Sequence, residues 1–513
     1  MMKNLNMRLA GLVSIGLAAW QVLGAERPLL VFCEDDSHYF GQSSAYANEA
    51  SLRSYLREIA SGGGVTHFFM CPNAMRANFA SRVIEPAWAP CDVPGWRQTG
   101  WSRMLKTFND AGIDPYSVWA DESRKAGVSP WLSMRMNDTH WVTDPKYGGH
   151  DKFWRDHPEY WCTPNYTGKN WEEYALDYSH AAVRERALSF IEELLERYDV
   201  DGIECDWMRF PNHFPRSMAR QCAPLLTDFM CRVRKIADAA ARRRGHPVLV
   251  GARVASSYAG ALLLGSDPVA WARAGAIDWL VPCNFWGTSD FDLDFADWSV
   301  RMRMANTRVR VIPGTDTNVA VEPKVQHRGL TLLEYRGWCD TQYAQGATGV
   351  YLFNSFSFAP TSKIGRAIRT GGLSPSSVSA AAERAYPLSW RECMPKGMDG
   401  GQTGGLVGEG QTFRIRLGNP PPARTAELLL AFDAEVSPTL IKGTTLNAAR
   451  PRSVVREENP SWLSSKTKAR SAWRVVFDAA VLLPGTNVVG VPCLGKGPVR
   501  SLVCELETKG RIE

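Results

Sequence analysis

Two acidic residues two positions apart, Glu204 and Asp206, stand in the run Tyr198-Asp199-Val200-Asp201-Gly202-Ile203-Glu204-Cys205-Asp206-Trp207-Met208-Arg209-Phe210-Pro211. Alternate side chains of an extended strand face opposite ways, so Glu204 and Asp206 share one face while Ile203, Cys205 and Trp207 share the other. The apolar set must pack against helices. Two carboxyls on an inward face are costly unless they are paired or used. Pairing would come from Arg135, Arg209 or Arg253. Use points to acid–base chemistry, with one carboxylate as nucleophile or base and a second carboxyl as proton donor, the set that hydrolyses a glycosidic bond.

Asp206 is the expected nucleophile or base. Three carboxyls compete to be its partner: Glu204, one residue pair deeper, where desolvation holds a proton, Asp316 and Asp36. Further polar and aromatic residues recur after strand-like runs: Asp36 and His38 after the first, Arg135, Asn137, His140 and Trp141 at and after the third, Arg209 after the fourth. Arg253 follows on the fifth, Asn284 and Trp286 on the sixth, Asp316 on the seventh and Asn354 on the eighth. Such a ring suits a polyol: arginines and asparagines orient hydroxyls, and Trp141 and Trp286 stack on sugar rings. A divalent metal on Glu204, Asp206 and His140 is an alternative by ligand type alone. No cofactor is expected, and no CxxC…HxxxH spacing for structural zinc occurs. The first strand lacks the HxH of metal-dependent amidohydrolases, and the sixth ends Cys283-Asn284-Phe285-Trp286, without a Schiff-base lysine. No GxGxxG after a strand, GxxxxGK[ST] or GxSxG is present.

The elements that must position these residues are short apolar runs with helical patterns between them: Leu29–Cys33, Val65–Cys71, Pro130–Met136, Gly202–Asp206, Val248–Val254, Trp279–Asn284, Val309–Pro313 and Gly349–Asn354. Eight strands alternating with helices, such as Ala181–Tyr198 and Thr227–Arg244, predict an α/β fold, the (β/α)8 TIM barrel, whose active sites lie at the C-terminal strand ends. Beyond a serine-rich linker at 372–386, strand-like runs without helices predict an antiparallel β-sandwich. The expected division is a signal peptide at 1–25, a barrel at 26–371, the linker at 372–386 and the sandwich at 387–513. The leader has Lys3 and Arg8 before the apolar stretch Leu9–Leu23 and small residues Gly24 and Ala25, so the protein is expected to be secreted or periplasmic, with no membrane insertion after cleavage.

The chain has 513 residues and a formal charge of +6, two of it from Lys3 and Arg8, with no long basic run, which argues against nucleic acid as a partner. Cys33, Cys71, Cys205 and Cys283 lie inside apolar runs and read as buried thiols. Of 19 tryptophans, 15 fall between Trp88 and Trp338, so they serve either core packing or stacking on flat apolar faces. Trp207 and Trp279 read as core; Trp141, Trp154, Trp161, Trp171 and Trp286 fall in or beside loops on the active face.

Residues 171–211 resemble the glycosyl hydrolase-like 10 domain family. The likeness is carried by Ala175-Leu176-Asp177-Tyr178, Val183-Arg184-Glu185 and the run from Tyr198 to Pro211, which matches that family's fourth-strand pattern YDVDGI-x-x-D-x-x-R-x-P. The resemblance implies a barrel that hydrolyses polysaccharide, with Asp206 as its key acidic residue. Amylase-type barrels are a looser analogy, and there the chain departs: Glu204 stands where those enzymes have arginine, and the fifth strand offers Arg253 in place of a glutamate. The expected function is a secreted glycoside hydrolase acting on a polysaccharide or oligosaccharide. The alternative is a non-catalytic barrel that captures carbohydrate.

Overall fold

A computed structural model of the chain describes residues 27–511, apart from 91–94, 97–98, 163–170, 286, 322–327, 355–361, 391–400, 403–409, 465 and 494–498, and gives the backbone alone at 36, 37 and 511. The expected leader lies outside these residues.

The strands of the first part are β1 (Leu29–Glu34), β2 (His67–Met70), β3 (Ser129–Arg135), β4 (Gly202–Asp206), β5 (Leu249–Ala255), β6 (Trp279–Cys283), β7 (Arg310–Val311), β8 (Gly314–Thr315), the small antiparallel pair β9 (Asn318–Val319) and β10 (Arg328–Gly329), and β11 (Gly349–Leu352). Nine of them form one parallel sheet in the order β7-β6-β5-β4-β3-β2-β1-β11-β8, with helices between them, an α/β barrel-type arrangement. The two ends of that row are two residues apart in sequence. Arg310 and Val311 pair with Trp279 and Leu280, while Gly314 and Thr315 pair with Tyr351 and Leu352, so the single segment 310–315 hydrogen-bonds to both edges. The run expected as one strand at Val309–Pro313 is therefore two short ones. Pro313 lies between them and has no N–H to give to a ladder.

Alternation sorts the side chains into two cores. Val31, Cys33, Phe69, Trp131, Trp279, Val281, Cys283, Ile312, Tyr351 and Phe353 make one buried cluster inside the sheet. Ile203, Cys205 and Trp207 belong to the other, between sheet and helices, with Trp119, Trp271, Trp298 and Trp338. Much of the tryptophan excess is thus packing material. Inside, Trp131 stacks on Phe69 at 4.8 Å and meets Trp279 at a tilt at 4.7 Å. This layer needs glycine on the next strand: a Cβ at Gly202 would lie 2.6 Å from the Trp131 ring. Gly202→Ala is accordingly expected to destabilise the fold by about 1–3 kcal/mol through overpacking, read as a lower urea midpoint with an unchanged slope.

The helix Ala181–Arg197 follows its sequence reading, burying Val183, Ala187, Phe190, Ile191, Leu194 and Leu195. The next helix starts earlier than expected, at Ala219, and runs to Arg244 with Pro224 inside it. Its arginine-rich end stops at Gly245, whose φ of 77° is the left-handed cap that glycine adopts freely.

The remaining strands are β12 (Arg384–Pro387), β13 (Gln411–Leu417), β14 (Ala423–Phe432), β15 (Thr445–Leu446), β16 (Ser453–Arg456), β17 (Ser471–Asp478), β18 (Gly485–Val491) and β19 (Ser501–Arg511). They form two antiparallel sheets, β12-β19-β14-β17-β16 and β13-β18-β15. One buried cluster draws on both, including Phe413, Ile415 and Val489 from one sheet and Leu428, Leu430, Trp473 and Val475 from the other. Residues 372–386, expected as a linker, carry the helix Pro375–Ala380, capped by Ser374, and most of β12. These sheets grip the first part through polar ties to the helix Leu332–Ala344: buried Asp340 accepts from Tyr386 and the Gly418 amide and pairs with Arg384. The ten cysteines described are all free thiols; Cys91 and Cys393 lie outside the described residues.

Candidate active site

Three adjacent strands bring the acidic pair together with arginine. In the ladders, Ser133 lies opposite Glu204 and Arg135 opposite Asp206; on the other side Gly251 lies opposite Glu204 and Arg253 opposite Asp206. Register thus creates two layers inside the sheet, Glu204 below and Asp206 above, toward the C-terminal strand ends.

Glu204 is fully buried. Its Oε1 accepts from Ser133 Oγ at 2.6 Å and from the Tyr351 hydroxyl at 2.9 Å, while Oε2 has no hydrogen-bond partner among the described residues. Burial, reinforced by the negative charge of Asp206, pushes its carboxyl up to about 7. The folded chain keeps a proton that the unfolded chain gives up from its ordinary value of 4.5, so stability is highest below that value and falls as pH rises toward 7. Glu204→Gln is expected to remove up to about 1.4 kcal/mol per pH unit from that slope. Urea midpoints measured from pH 5 to 7 check it; an unchanged slope contradicts it.

Asp206 is 1% exposed and Arg253 0%. Arg253 donates from Nε to Oδ1 at 2.9 Å and from Nη2 to Oδ2 at 2.8 Å, a bidentate pair, and the Met208 and Arg209 amides add two bonds to Oδ1 at 3.0 and 2.9 Å. The Arg253 guanidinium also lies over the Phe353 ring, 3.7 Å from its centre. Of the pairing partners weighed for Asp206, the structure selects Arg253.

A second charged group surrounds Arg135 and Arg209. Arg135 bridges Asp35 and Asp138; Asp138 holds His140 through Nδ1 at 2.8 Å; the other ring nitrogen of His140 is 3.2 Å from Arg209 Nη2; and Arg209 returns to Asp35 at 3.6 Å. Burial opposes the Asp138 charge, but His140 and Arg135 outweigh it and hold this carboxyl far below its ordinary range. Asp35 and Asp138 were not singled out from sequence. The signal was present in the spacing of Asp138 from Arg135, three residues on, and in the position of Asp35 directly after β1.

Asp316 follows β8. It is 2% exposed; Oδ1 accepts from the Asn318 amide at 3.0 Å and Oδ2 from the Gly287 amide at 3.2 Å. Burial raises its carboxyl above the ordinary value against the pull of Arg209 and Arg253. Both arginines also act on or hold Asp206, so the charges of Asp206 and Asp316 meet at the same pair of guanidinium groups.

The other candidates divide. Asn284 and Asn354 are buried at 2% each, and each has a side-chain carbonyl oxygen without a partner among the described residues. Asn137 instead ties loops together: its amide donates to the carbonyls of Leu176 and Asn212, and its oxygen accepts from the Leu176 amide. His38, in the short helix Asp36–Phe40, faces Glu34 and Tyr55. Burial opposes its charged form, and Glu34 more than restores it, so its ring is raised above the ordinary histidine value. Trp286 and the Asp36 side chain lie outside the described residues. Of the tryptophans expected in loops on the active face, Trp141 is 66% exposed, whereas Trp154 is 6% exposed and packs with Trp161 and Trp171 in a satellite core. A loop this long must bury apolar groups of its own. A small cavity of about 40 Å³ lies beside it and is lined by Asn73, Arg135, Asp138, Asp151 and Arg186, among others, but not by Asp206, Arg253 or Asp316.

Backbone strain marks the same rim. In the first part of the chain the non-glycine residues with positive φ are Trp141 at 54°, Phe210 at 57° and Asn354 at 49°, all just beyond strand ends, among the described residues. Bulky residues hold such angles only when their surroundings impose them, and they concentrate at functional sites. Phe210 packs edge-on against His140 at 4.7 Å and against Trp171 at 5.3 Å, and Trp171 stacks on Phe285. His140 belongs to the arginine network while Glu204 lies in the lower layer, and among the described residues no group of three or more His, Cys, Asp or Glu is placed to hold a metal ion. No helix of the described residues is long and apolar enough to cross a membrane.

No protein-family model matches the chain, and no curated protein matches it. Similar solved structures include glycoside hydrolases. The endo-beta-1,4-mannanase from Thermotoga petrophila matches at TM-score 0.43 and 11% identity, over 96% of this chain and 99% of that one. The PgaB (BpsB) glycoside hydrolase domain from Bordetella bronchiseptica matches at TM-score 0.41 and 10% identity, over 68% and 99%. A GH27 b-L-arabinopyranosidase from Geobacillus stearothermophilus matches at TM-score 0.37 and 11% identity, over 92% and 98%.

Proposed function

We propose that the protein is an exported glycoside hydrolase whose reaction takes place at the upper layer of the barrel, with Asp206 as the ionised carboxylate and Asp316 as the proton donor. The observation that carries this reading is the contrast between two buried carboxyls acting on one pair of arginines. Asp206 accepts four donors, two of them from a guanidinium, which is the setting of an anion. Asp316 is held by backbone amides, and burial favours its proton. A carboxylate gripped by a guanidinium and a carboxyl whose proton burial favours fit the two roles of base and acid. Glu204 sits a layer lower with no exposed surface, and we assign it to the barrel interior.

In this mechanism Asp316 protonates the leaving oxygen as the glycosidic bond lengthens, and Asp206 stabilises the developing positive charge on the sugar, either by attacking the anomeric carbon or by activating water. Arg253 and the two amides keep Asp206 oriented. The open carbonyl oxygens of Asn284 and Asn354 accept from sugar hydroxyls. The likeness of residues 171–211 to the glycosyl hydrolase-like 10 domain supports the same reading. The two antiparallel sheets would pack as a β-sandwich that braces the barrel.

One observation favours a second reading, a barrel that captures glycan without cleaving it: Asp206 is saturated by its four donors and has 1% of its surface exposed. Electrophoresis of the purified protein through gels containing plant and algal polysaccharides, with reducing ends assayed in parallel, separates the two. Retardation with new reducing ends supports hydrolysis; retardation without them supports capture.

A further inference from the structure

Trp141 carries two features that folding does not explain. Its indole is 66% exposed, while Trp154 in the same loop is packed away. Its backbone lies at φ 54°, in the left-handed region, where glycine or asparagine fits without strain and a bulky side chain does not. An exposed indole gains nothing from burial in return.

The position of this residue is tightly held. The Asp144 amide donates to the Trp141 carbonyl at 2.8 Å. The preceding His140 is fixed through its amide and ring to Asp138, and its other nitrogen meets Arg209, whose own amide binds Asp206. His140 and Arg209 therefore connect the backbone at Trp141 to the segment that holds the carboxylate. The level differs: Asp206 and Asp316 are 1% and 2% exposed, and Trp141 stands at the rim. A single exposed indole is also far smaller than the contiguous apolar patches that mark protein or membrane interfaces. It does match the apolar face of one sugar ring, which an aromatic surface covers well.

We infer that Trp141 is a stacking platform for a ring of a polymeric glycan, lying beyond the ring on which Asp206 and Asp316 act, an inference that rests on the glycoside hydrolase reading above for its substrate class. A ligand that touches both the buried carboxyls and the rim spans more than one ring, so chains are preferred to simple glycosides. The strained backbone turns the indole outward, at a cost to the fold that glycan binding repays.

The test is calorimetric titration with oligosaccharide ladders, from the disaccharide upward, prepared from mannan, xylan, chitin and laminarin. It is run on the wild-type protein and on Trp141→Ala, Trp141→Phe and Trp141→Gly. The alanine and glycine variants are expected to lose about 3- to 10-fold in affinity for the longer chains, with a loss that shrinks as the ladder shortens, and phenylalanine is expected to restore most of it. The glycine variant should melt at the wild-type temperature or above, since its backbone strain is gone. Equal affinity of the alanine variant and wild type at every length overturns the inference, as does a loss that is the same for disaccharide and long chain. Length-dependent loss in a protein that releases no reducing ends upholds the platform and rejects the hydrolysis reading. A wild-type protein that binds none of the ladders overturns both.

Discussion

Replacing Arg253 with methionine is expected to lower the free energy of unfolding by about 3–5 kcal/mol, the penalty for leaving a buried charge without its partner. The size follows from the setting. Both members of the pair are buried, both Asp206 oxygens are engaged by one guanidinium, and the arginine also stacks over Phe353. Exposed pairs of the same residue types contribute at most about 1 kcal/mol, so the measurement has a wide margin. Removing both charges at once, with Asp206→Asn added to Arg253→Met, should destabilise by clearly less than the sum of the two single changes. Equilibrium urea unfolding of the four proteins checks this. Additive losses, or a loss below about 1 kcal/mol for the single arginine change, would show that the pair does not organise the upper layer.

Asp316→Asn is expected to reduce kcat for glycan cleavage by about 10²- to 10⁴-fold, the range contributed by a positioned general acid. Asparagine keeps an acceptor for the Asn318 amide but turns its NH2 toward the Gly287 amide. A loss of about 1–3 kcal/mol from the unsatisfied buried donor is therefore expected, and kcat is compared under conditions where the urea curve shows the variant folded. The pH profile provides a second readout. Because burial raises the Asp316 carboxyl, it stays protonated above the ordinary range, and activity should decline as pH climbs through its folded value. The variant should lack that alkaline limb. An unchanged kcat, or an unchanged limb in an impaired variant, would move the acid role to another carboxyl.

Much of this arrangement was legible in the residues themselves. Alternation around Ile203, Cys205 and Trp207 placed Glu204 and Asp206 on the inner face, because strand geometry has a fixed period of two. What alternation cannot supply is register between strands. Whether Asp206 met Arg135, Arg209 or Arg253 depended on which residues lie opposite: the ladders flank it with both Arg135 and Arg253, and the side-chain hydrogen bonds decide it for Arg253. The roles of Asn137 and Trp154 were obscured for a related reason. Both lie in the long stretch between β3 and the helix Ala181–Arg197, where a polar or aromatic residue serves equally well to hold the loop together or to meet a ligand. Asn137 is consumed by backbone groups of Leu176 and Asn212, and Trp154 by a satellite core. The split of the seventh strand at Pro313 follows from a rule about proline that a search for apolar runs overlooks.

The same contrast explains the tryptophans. Trp131 fits the barrel interior beside Trp279 because Gly202 leaves it room, whereas Trp141 is exposed on a backbone that tryptophan does not favour. Exposure and φ set Trp141 apart from the tryptophans that pack the interior.

The most direct measurement is the release of reducing ends from a panel of plant and algal polysaccharides by the purified wild-type protein, with Asp316→Asn run beside it. The expected result is steady release from at least one polysaccharide, nearly abolished in the variant while its fold is kept. No release from any polysaccharide that the wild-type protein binds would contradict hydrolysis and leave a barrel that only captures glycan.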